Sequence, residues 1–169
     1  MNLYQRLGFL VLGSRLRRIS EYFLSEITRA YQQEGIEFDA SWFPVFYLLS
    51  KNDALSIKEL SEQTEVSHPA ASQLITGLKN KGLVTTTTSA EDGRKQLVAF
   101  TEKGRELLDR VLPVWDAILL SMEEMTESQP DCKPLLPAIT ALETAFQNTG
   151  LADRIEEKLA NSLKLTAHE

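Results

Sequence analysis

Leu3, Leu7, Leu10, Ile19, Phe23, Ile27 and Ala30 recur at helical spacing, and Arg6, Arg15, Arg18, Glu21 and Arg29 fall between them. The spacing predicts a single helix of about 30 residues, stopped by Gly35. A helix of that length at a chain end has few partners inside one small domain, so its apolar stripe points to burial against another subunit. Asp39 or Ser41 then caps a second helix that carries Trp42, Phe46 and Leu49 and ends at the turn Asn52-Asp53.

From residue 56 the pattern shortens. Ser56-Ile57-Lys58-Glu59 reads as a capping box, in which the serine accepts from the third backbone amide and the glutamate reaches back. It opens a short helix with Leu60 inward, closed by the turn Thr64-Glu65-Val66. Ser67 caps a further helix that tolerates Pro69 in its first turn, presents Ala71, Leu74, Ile75 and Leu78 to a core, and ends at Gly82. Two capped helices around a tight turn predict a helix-turn-helix. Leu83 to Thr88 and Leu97 to Thr101 are rich in β-branched residues, and Asp92-Gly93 lies between them, which predicts a β-hairpin placed as a wing.

Thr101 caps a long helix through Leu108, Leu112, Trp115, Leu119 and Met122, with a kink expected at Pro113. Pro130, Pro134 and Pro137 mark the next boundary. A last helical region carries Leu135, Ile139, Leu142, Phe146, Leu151, Ile155 and Leu159, broken at Asn148-Thr149-Gly150. The expected fold is mainly α with a small β-hairpin wing. A winged helix-turn-helix lobe (36–105) and a connecting helix (106–125) are inserted between N- and C-terminal dimerisation helices (1–35 and 126–169).

Charge sharpens the picture. The net charge of −6 argues against a nucleic-acid partner at first sight, because phosphates attract Lys and Arg. Its distribution does not. Lys51 to Arg105 holds eight basic and seven acidic residues, leaving −7 on the remainder, and Val66 to Ala90 contains Lys79 and Lys81 with no carboxylate. An acid-free window of that length fits a surface facing phosphates. The 43% apolar and 25% charged composition is that of a globular domain, and no apolar run approaches the roughly 18–20 residues of a membrane span. The single Cys132 excludes an internal disulfide framework, so a cytoplasmic protein with no membrane partner is expected.

Val66-Ser67-His68-Pro69-Ala70-Ala71-Ser72-Gln73-Leu74-Ile75, Lys81-Gly82-Leu83-Val84, Asp92-Gly93-Arg94-Lys95 and Phe100-Thr101-Glu102-Lys103-Gly104 together resemble the MarR family of transcriptional regulators. The resemblance covers roughly residues 40–125 in register. It implies a homodimer with interlocked end helices, a recognition helix in the major groove of double-stranded DNA and a wing in the minor groove. It also implies a repressor released by a small, anionic aromatic effector. On the recognition helix Pro69, Ala70, Gln73, Thr76 and Gly77 lie opposite the apolar side. Gln73 suits bidentate pairing with adenine and Ala70 a thymine methyl. Ser67 and Ser72 suit phosphate contacts, Arg94 suits a narrow minor groove with Lys95 beside it, and Asp92 could hold the arginine's geometry. His68 reads as an exposed first-turn residue or as a phosphate or base contact.

Three positions depart from the family pattern. Gln73 stands where arginine is common, and Thr86 stands where an arginine often follows Gly-Leu-Val. Gly77 costs about 1 kcal/mol against alanine in a helix.

Trp42, Phe43, Phe46 and Tyr47 read first as core, with an effector pocket as the alternative. Cys132 reads as a packed or idle residue, with only Lys133 beside it to lower a thiol pKa; a redox sensor is the lowest-ranked alternative. An enzyme is not expected: there is no phosphate-binding glycine loop or nucleophile elbow, and two histidines and one cysteine make no metal cluster or cofactor site. The competing reading from another class is a winged-helix protein-interaction module with little DNA affinity, motivated by the net acidity and by Thr86.

Overall fold

The computed structural model describes residues 2–88, 92, 93 and 95–166, the last five as backbone only. The chain divides into two compact bodies, Met1–Ile118 and Leu119–Glu169. In the first, the N-terminal apolar periodicity is split between two helices. Helix α1 (Leu3–Leu7), capped by an Asn2–Gln5 capping box, ends at Gly8, and a 3-10 turn (Gly8–Val11) leads into α2 (Leu12–Gln33). This corrects the expectation of one continuous helix. Gly8 takes φ +56° and ψ −123°, outside the helical region and open mainly to glycine. Apolar spacing persists across one tight turn, so periodicity alone cannot register the break.

Asp39 accepts from the backbone and hydroxyl of Ser41 (2.8 and 2.7 Å) and caps a 3-10 turn that runs into α3 (Phe43–Lys51). After β1 (Leu55–Ser56) comes α4 (Ile57–Gln63), opened by the expected capping box. Ser56 Oγ accepts from Glu59 N at 3.2 Å, and Glu59 Oε2 accepts from Ser56 N at 2.7 Å. Helix α5 (His68–Asn80) follows, then β2 (Val84–Thr88) and β3 (Gln96–Phe100). The hairpin is part of a three-stranded antiparallel sheet in the order β1-β3-β2, with Leu55 opposite Val98 and Val84 opposite Phe100. The pattern did not predict β1, since two residues show no period. Helix α6 (Glu102–Ser128) runs through Pro113 as one element of 27 residues. Pro113 and Asp109 are both exposed, so water can satisfy the carbonyl that the missing N–H leaves open.

One core joins these elements: Tyr31, Ile36, Phe38, Val45, Phe46, Leu49, Leu60, Ile75, Leu78, Val84, Val98 and Val111 are all buried. Phe38 is its aromatic hub, with ring centroids 5.0 Å from Tyr31 and Phe46 and 6.1 Å from Trp115. Trp115 Nε1 donates to the Tyr31 hydroxyl at 2.8 Å, which meets the polar need of a half-buried indole and ties α6 to the end of α2. Burial raises the pKa of that tyrosine above the ordinary phenol value.

The second body contains the end of α6, a 3-10 turn (Pro130–Cys132), α7 (Leu135–Asn148) and α8 (Leu151–Thr166). The break falls at Thr149-Gly150 as expected. Arg154 braces it by donating to the carbonyls of Thr149 (3.2 Å) and Ala145 (3.3 Å). Cys132 is half-buried.

The cap of α4 has a pH signature. Hydrogen bonds from the hydroxyl and backbone of Ser56 hold the Glu59 carboxyl below its ordinary pKa. A carboxylate depressed in the folded state stabilises above its unfolded pKa, and the contribution is lost as pH falls through the folded value. Ser56→Ala should cost about 1 kcal/mol at neutral pH. The gap between variant and wild type should narrow in thermal melts as the medium is acidified through the carboxylate range. A gap independent of pH would show that Glu59 takes no part.

Candidate nucleic-acid interface

Helix α5 turns one side into the core, through Ala71, Ile75 and Leu78, and the other to solvent. Ser67, His68, Pro69, Ala70, Gln73, Thr76 and Gly77 are exposed, while Ser72 is half-buried on the flank. The Ser67 side chain accepts from Ala70 N at 3.4 Å, fixing the first turn. Thr76 Oγ1 donates back to the carbonyl of Ser72 at 2.8 Å.

The turn before α5 is held by Ser61, whose hydroxyl donates to the carbonyl of Val66 (2.8 Å) and whose carbonyl accepts from Val66 N (3.2 Å). Glu65 there has φ +55°, the one described non-glycine residue with positive φ and a strained conformation that the turn imposes.

At the other end, α5, the sheet and α6 meet in a compact knot. Leu83 N donates to Leu78 O, Thr101 N donates to Leu83 O, and Thr101 Oγ1 donates to Gly82 O at 2.6 Å while accepting from Gly104 N at 3.1 Å. Helix α6 passes so close that a Cβ on Gly104 would overlap the Leu83 carbonyl oxygen and sit 2.9 Å from Phe100 Cδ1. The Phe-Thr-Glu-Lys-Gly segment is therefore a structural lock that sets the angle between helix and wing.

At the turn end of the two strands Gln96 Nε2 donates to Thr88 Oγ1 at 3.2 Å, and Lys95 N donates to Asp92 O at 2.9 Å. Lys95 is exposed. Arg94, and with it the suggested Asp92–Arg94 arrangement, lies outside the described residues. Lys79, on the last turn of α5, reaches across to Thr86 Oγ1 at 2.9 Å. Sequence reasoning did not pair them, because seven residues and an element boundary separate them.

The four aromatic pocket candidates gather around Phe38 and Trp115 as one packed cluster. Phe46 is fully buried between Phe38 and Phe100 and lines no opening. Phe43 and Tyr47 are partly exposed and stacked 5.7 Å apart, with Trp115 against Phe43 at 4.8 Å. Trp42 packs edge-on against Phe38 at 5.5 Å and also borders a cleft of about 430 Å³ whose walls include Glu37, Lys81, Leu83, Lys103, Glu106 and Arg110. Lys81 Nζ sits 5.3 Å above the indole and 3.7 Å from Glu37. Lys103 donates to Lys81 O and Arg110 to Gly35 O, at 2.9 and 2.8 Å. Three cations thus line one cleft together with the carboxylates of Glu37 and Glu106, a feature invisible to spacing because these residues come from separate segments.

A capped helix presenting small and polar side chains beside a β-hairpin wing defines a winged helix-turn-helix protein. Comparison with known proteins agrees with that fold: the MarR family model matches residues 37–95. The HTH-type transcriptional repressor IacR of Pseudomonas putida is 29% identical over 115 residues, 64% of this chain and 69% of that protein. The organic hydroperoxide resistance transcriptional regulator of Bacillus subtilis is 27% identical over 150 residues, 87% of this chain and 94% of its own length. Among solved structures, Bordetella bronchiseptica BpsR, whose DNA binding is regulated by 6-hydroxynicotinic acid, superposes with a TM-score of 0.54 at 27% identity. That alignment covers 65% of this chain and 77% of BpsR. Residues 37–95 thus match the MarR family, and the relatives that the chain is similar to are transcriptional regulators.

Proposed function

We propose that this protein is a homodimeric, sequence-specific DNA-binding repressor whose affinity for its operator falls when a small anionic aromatic effector binds. The observation that carries the reading is the exposed face of α5. Ala70, Gln73, Thr76 and Gly77 form a low-relief, uncharged surface with no carboxylate between Val66 and Ala90, and the wing stands beside it. An α-helix fits the major groove, where a glutamine amide can pair with the adenine edge and an alanine methyl can meet thymine. Ser67, the helix N-terminus and Lys95 would contact phosphates, with His68 and Pro69 at the entry and Ser72 on the flank. Arg94 would enter the minor groove, a role that rests on its position in the sequence.

Dimerisation is supported by the apolar surface that the chain leaves uncovered. Phe9 and Leu10 are 89% and 88% exposed, and Leu136, Ile155 and Leu159 are largely exposed in the second body. So much apolar surface marks an interface. The effector would occupy the cleft at Trp42, with its carboxylate against Lys81, Lys103 and Arg110 and its ring toward the indole. The regulation of BpsR by an aromatic acid supports that ligand class.

Titration of the protein against a duplex from its own upstream region and a random duplex tests the reading. Gln73→Ala should lose about 1–3 kcal/mol on the specific site and little on the random one. Aromatic carboxylates should weaken wild type on the specific duplex and leave Lys103→Gln unmoved. Wild type with no affinity for either duplex would favour the interaction-module reading. Specific binding that ignores every such acid would overturn the effector alone.

A further inference from the structure

The MarR-like pattern that this chain follows at Gly82-Leu83-Val84 places an arginine two residues further on, where this chain has Thr86. The structure fills the gap from another element. Lys79 leaves the last turn of α5, crosses to β2 and donates to Thr86 Oγ1 at 2.9 Å. Thr86 pairs with Val98 of β3 and is half-buried, so its hydroxyl is fixed by the sheet and gives the lysine a rigid anchor. A hydroxyl that accepts from an ammonium keeps its own proton to donate, so two donors stand side by side at the junction of helix and wing.

The position decides what they are for. When a recognition helix lies in a major groove and its wing in the neighbouring minor groove, the sugar-phosphate strand dividing the two grooves passes between helix and wing. The Lys79–Thr86 contact joins the last turn of α5 to β2, between helix and wing, inside a segment that itself carries no carboxylate.

We propose that Lys79, anchored by Thr86, binds a backbone phosphate of duplex DNA at the helix–wing junction and takes over the role that the absent arginine at 86 would fill. The assignment rests on the DNA-binding reading above. It also gives Thr86 a purpose that the sequence alone presented as a loss. The competing explanation is that Lys79 only offsets the negative end of the α5 dipole. That role would affect stability and leave DNA binding alone.

The test uses the full-length protein and a fluorescein-labelled duplex of random sequence, so that base readout does not enter. Anisotropy titrations at several salt concentrations would compare wild type, Lys79→Gln, Thr86→Val and the double variant Lys79→Gln/Thr86→Arg, with melting curves for each. Lys79→Gln should weaken binding about tenfold and reduce the slope of log affinity against log salt by about one per subunit. Thr86→Val keeps the charge and loses its anchor, so affinity should fall about twofold with the slope retained. The double variant should recover slope and affinity, because a guanidinium from the strand reaches the same phosphate. Lys79→Gln binding with wild-type affinity and slope, or a loss that the arginine fails to restore, would overturn the assignment. A wild-type protein that binds no duplex would overturn the DNA-binding reading and this assignment with it. Unchanged binding by Lys79→Gln in a protein that does bind overturns this assignment alone.

Discussion

Gly104→Ala is expected to be among the most damaging single-methyl additions in this chain, costing about 3 kcal/mol or more. The new Cβ would overlap the carbonyl oxygen of Leu83 and crowd Phe100, whose ring packs on Phe46. Neither neighbour can yield cheaply. The Leu83 carbonyl is held by Thr101 N at 3.1 Å, and Thr101 also ties Gly82 and Gly104 together. Relief would require α6 to move away from the end of α5, which would change the angle between recognition helix and wing. The midpoint of thermal unfolding should fall by on the order of 10 °C, and DNA affinity at a temperature where the variant is still folded should fall as well. Gly77→Ala is the internal control: nothing lies within 4 Å of its added Cβ, and replacing glycine inside a helix should stabilise by about 0.5–1 kcal/mol. A Gly104→Ala protein that melts with wild type would show that helix and sheet are not in the close contact described.

Deleting residues 2–24 should convert the protein to a monomer that still folds in its first body. The deletion removes Leu3, Leu7, Phe9, Leu10, Ile19 and Phe23, all exposed in the single chain, and keeps Ile27 and Tyr31, which belong to the core. Loss of a covered apolar face removes association, whereas the core from Tyr31 to Val111 stays complete. DNA affinity should then drop by about a hundredfold or more, since the second half-site no longer profits from the first one's tethering. Sedimentation equilibrium reads the assembly and near-ultraviolet circular dichroism reads the packing of Trp42 and Trp115. A deletion variant that remains dimeric would place the interface elsewhere.

Much of the fold is legible in the amino-acid sequence, and for identifiable reasons. Caps are local: Ser56 with Glu59 and Ser67 with Ala70 need three or four residues to declare themselves, and each lies where the pattern puts it. The inward side of α5 follows from a period of 3.6, and the wing follows from β-branched runs around Asp92-Gly93. The same locality explains the misses. A left-handed glycine inside a smooth apolar stripe leaves the period untouched, so the break at Gly8 is hidden. Strand β1, two residues long, has no period to read.

The candidate site divides along the same line. Which side of α5 faces outward depends on residues a turn apart, so Gln73, Ala70 and Thr76 could be named from the sequence. The sequence by itself thus determined the fold class, the caps of α4 and α5 and the exposed face of α5, because each depends on neighbours within about a turn. Only the tertiary structure decided that Phe46 is core while Trp42 borders a cleft lined by charged side chains, that Lys79 donates to Thr86, and that Gly104 admits no side chain. Those outcomes depend on where separate elements meet in space, and the close approach of α6 to Leu83 is set by the packing of the whole core.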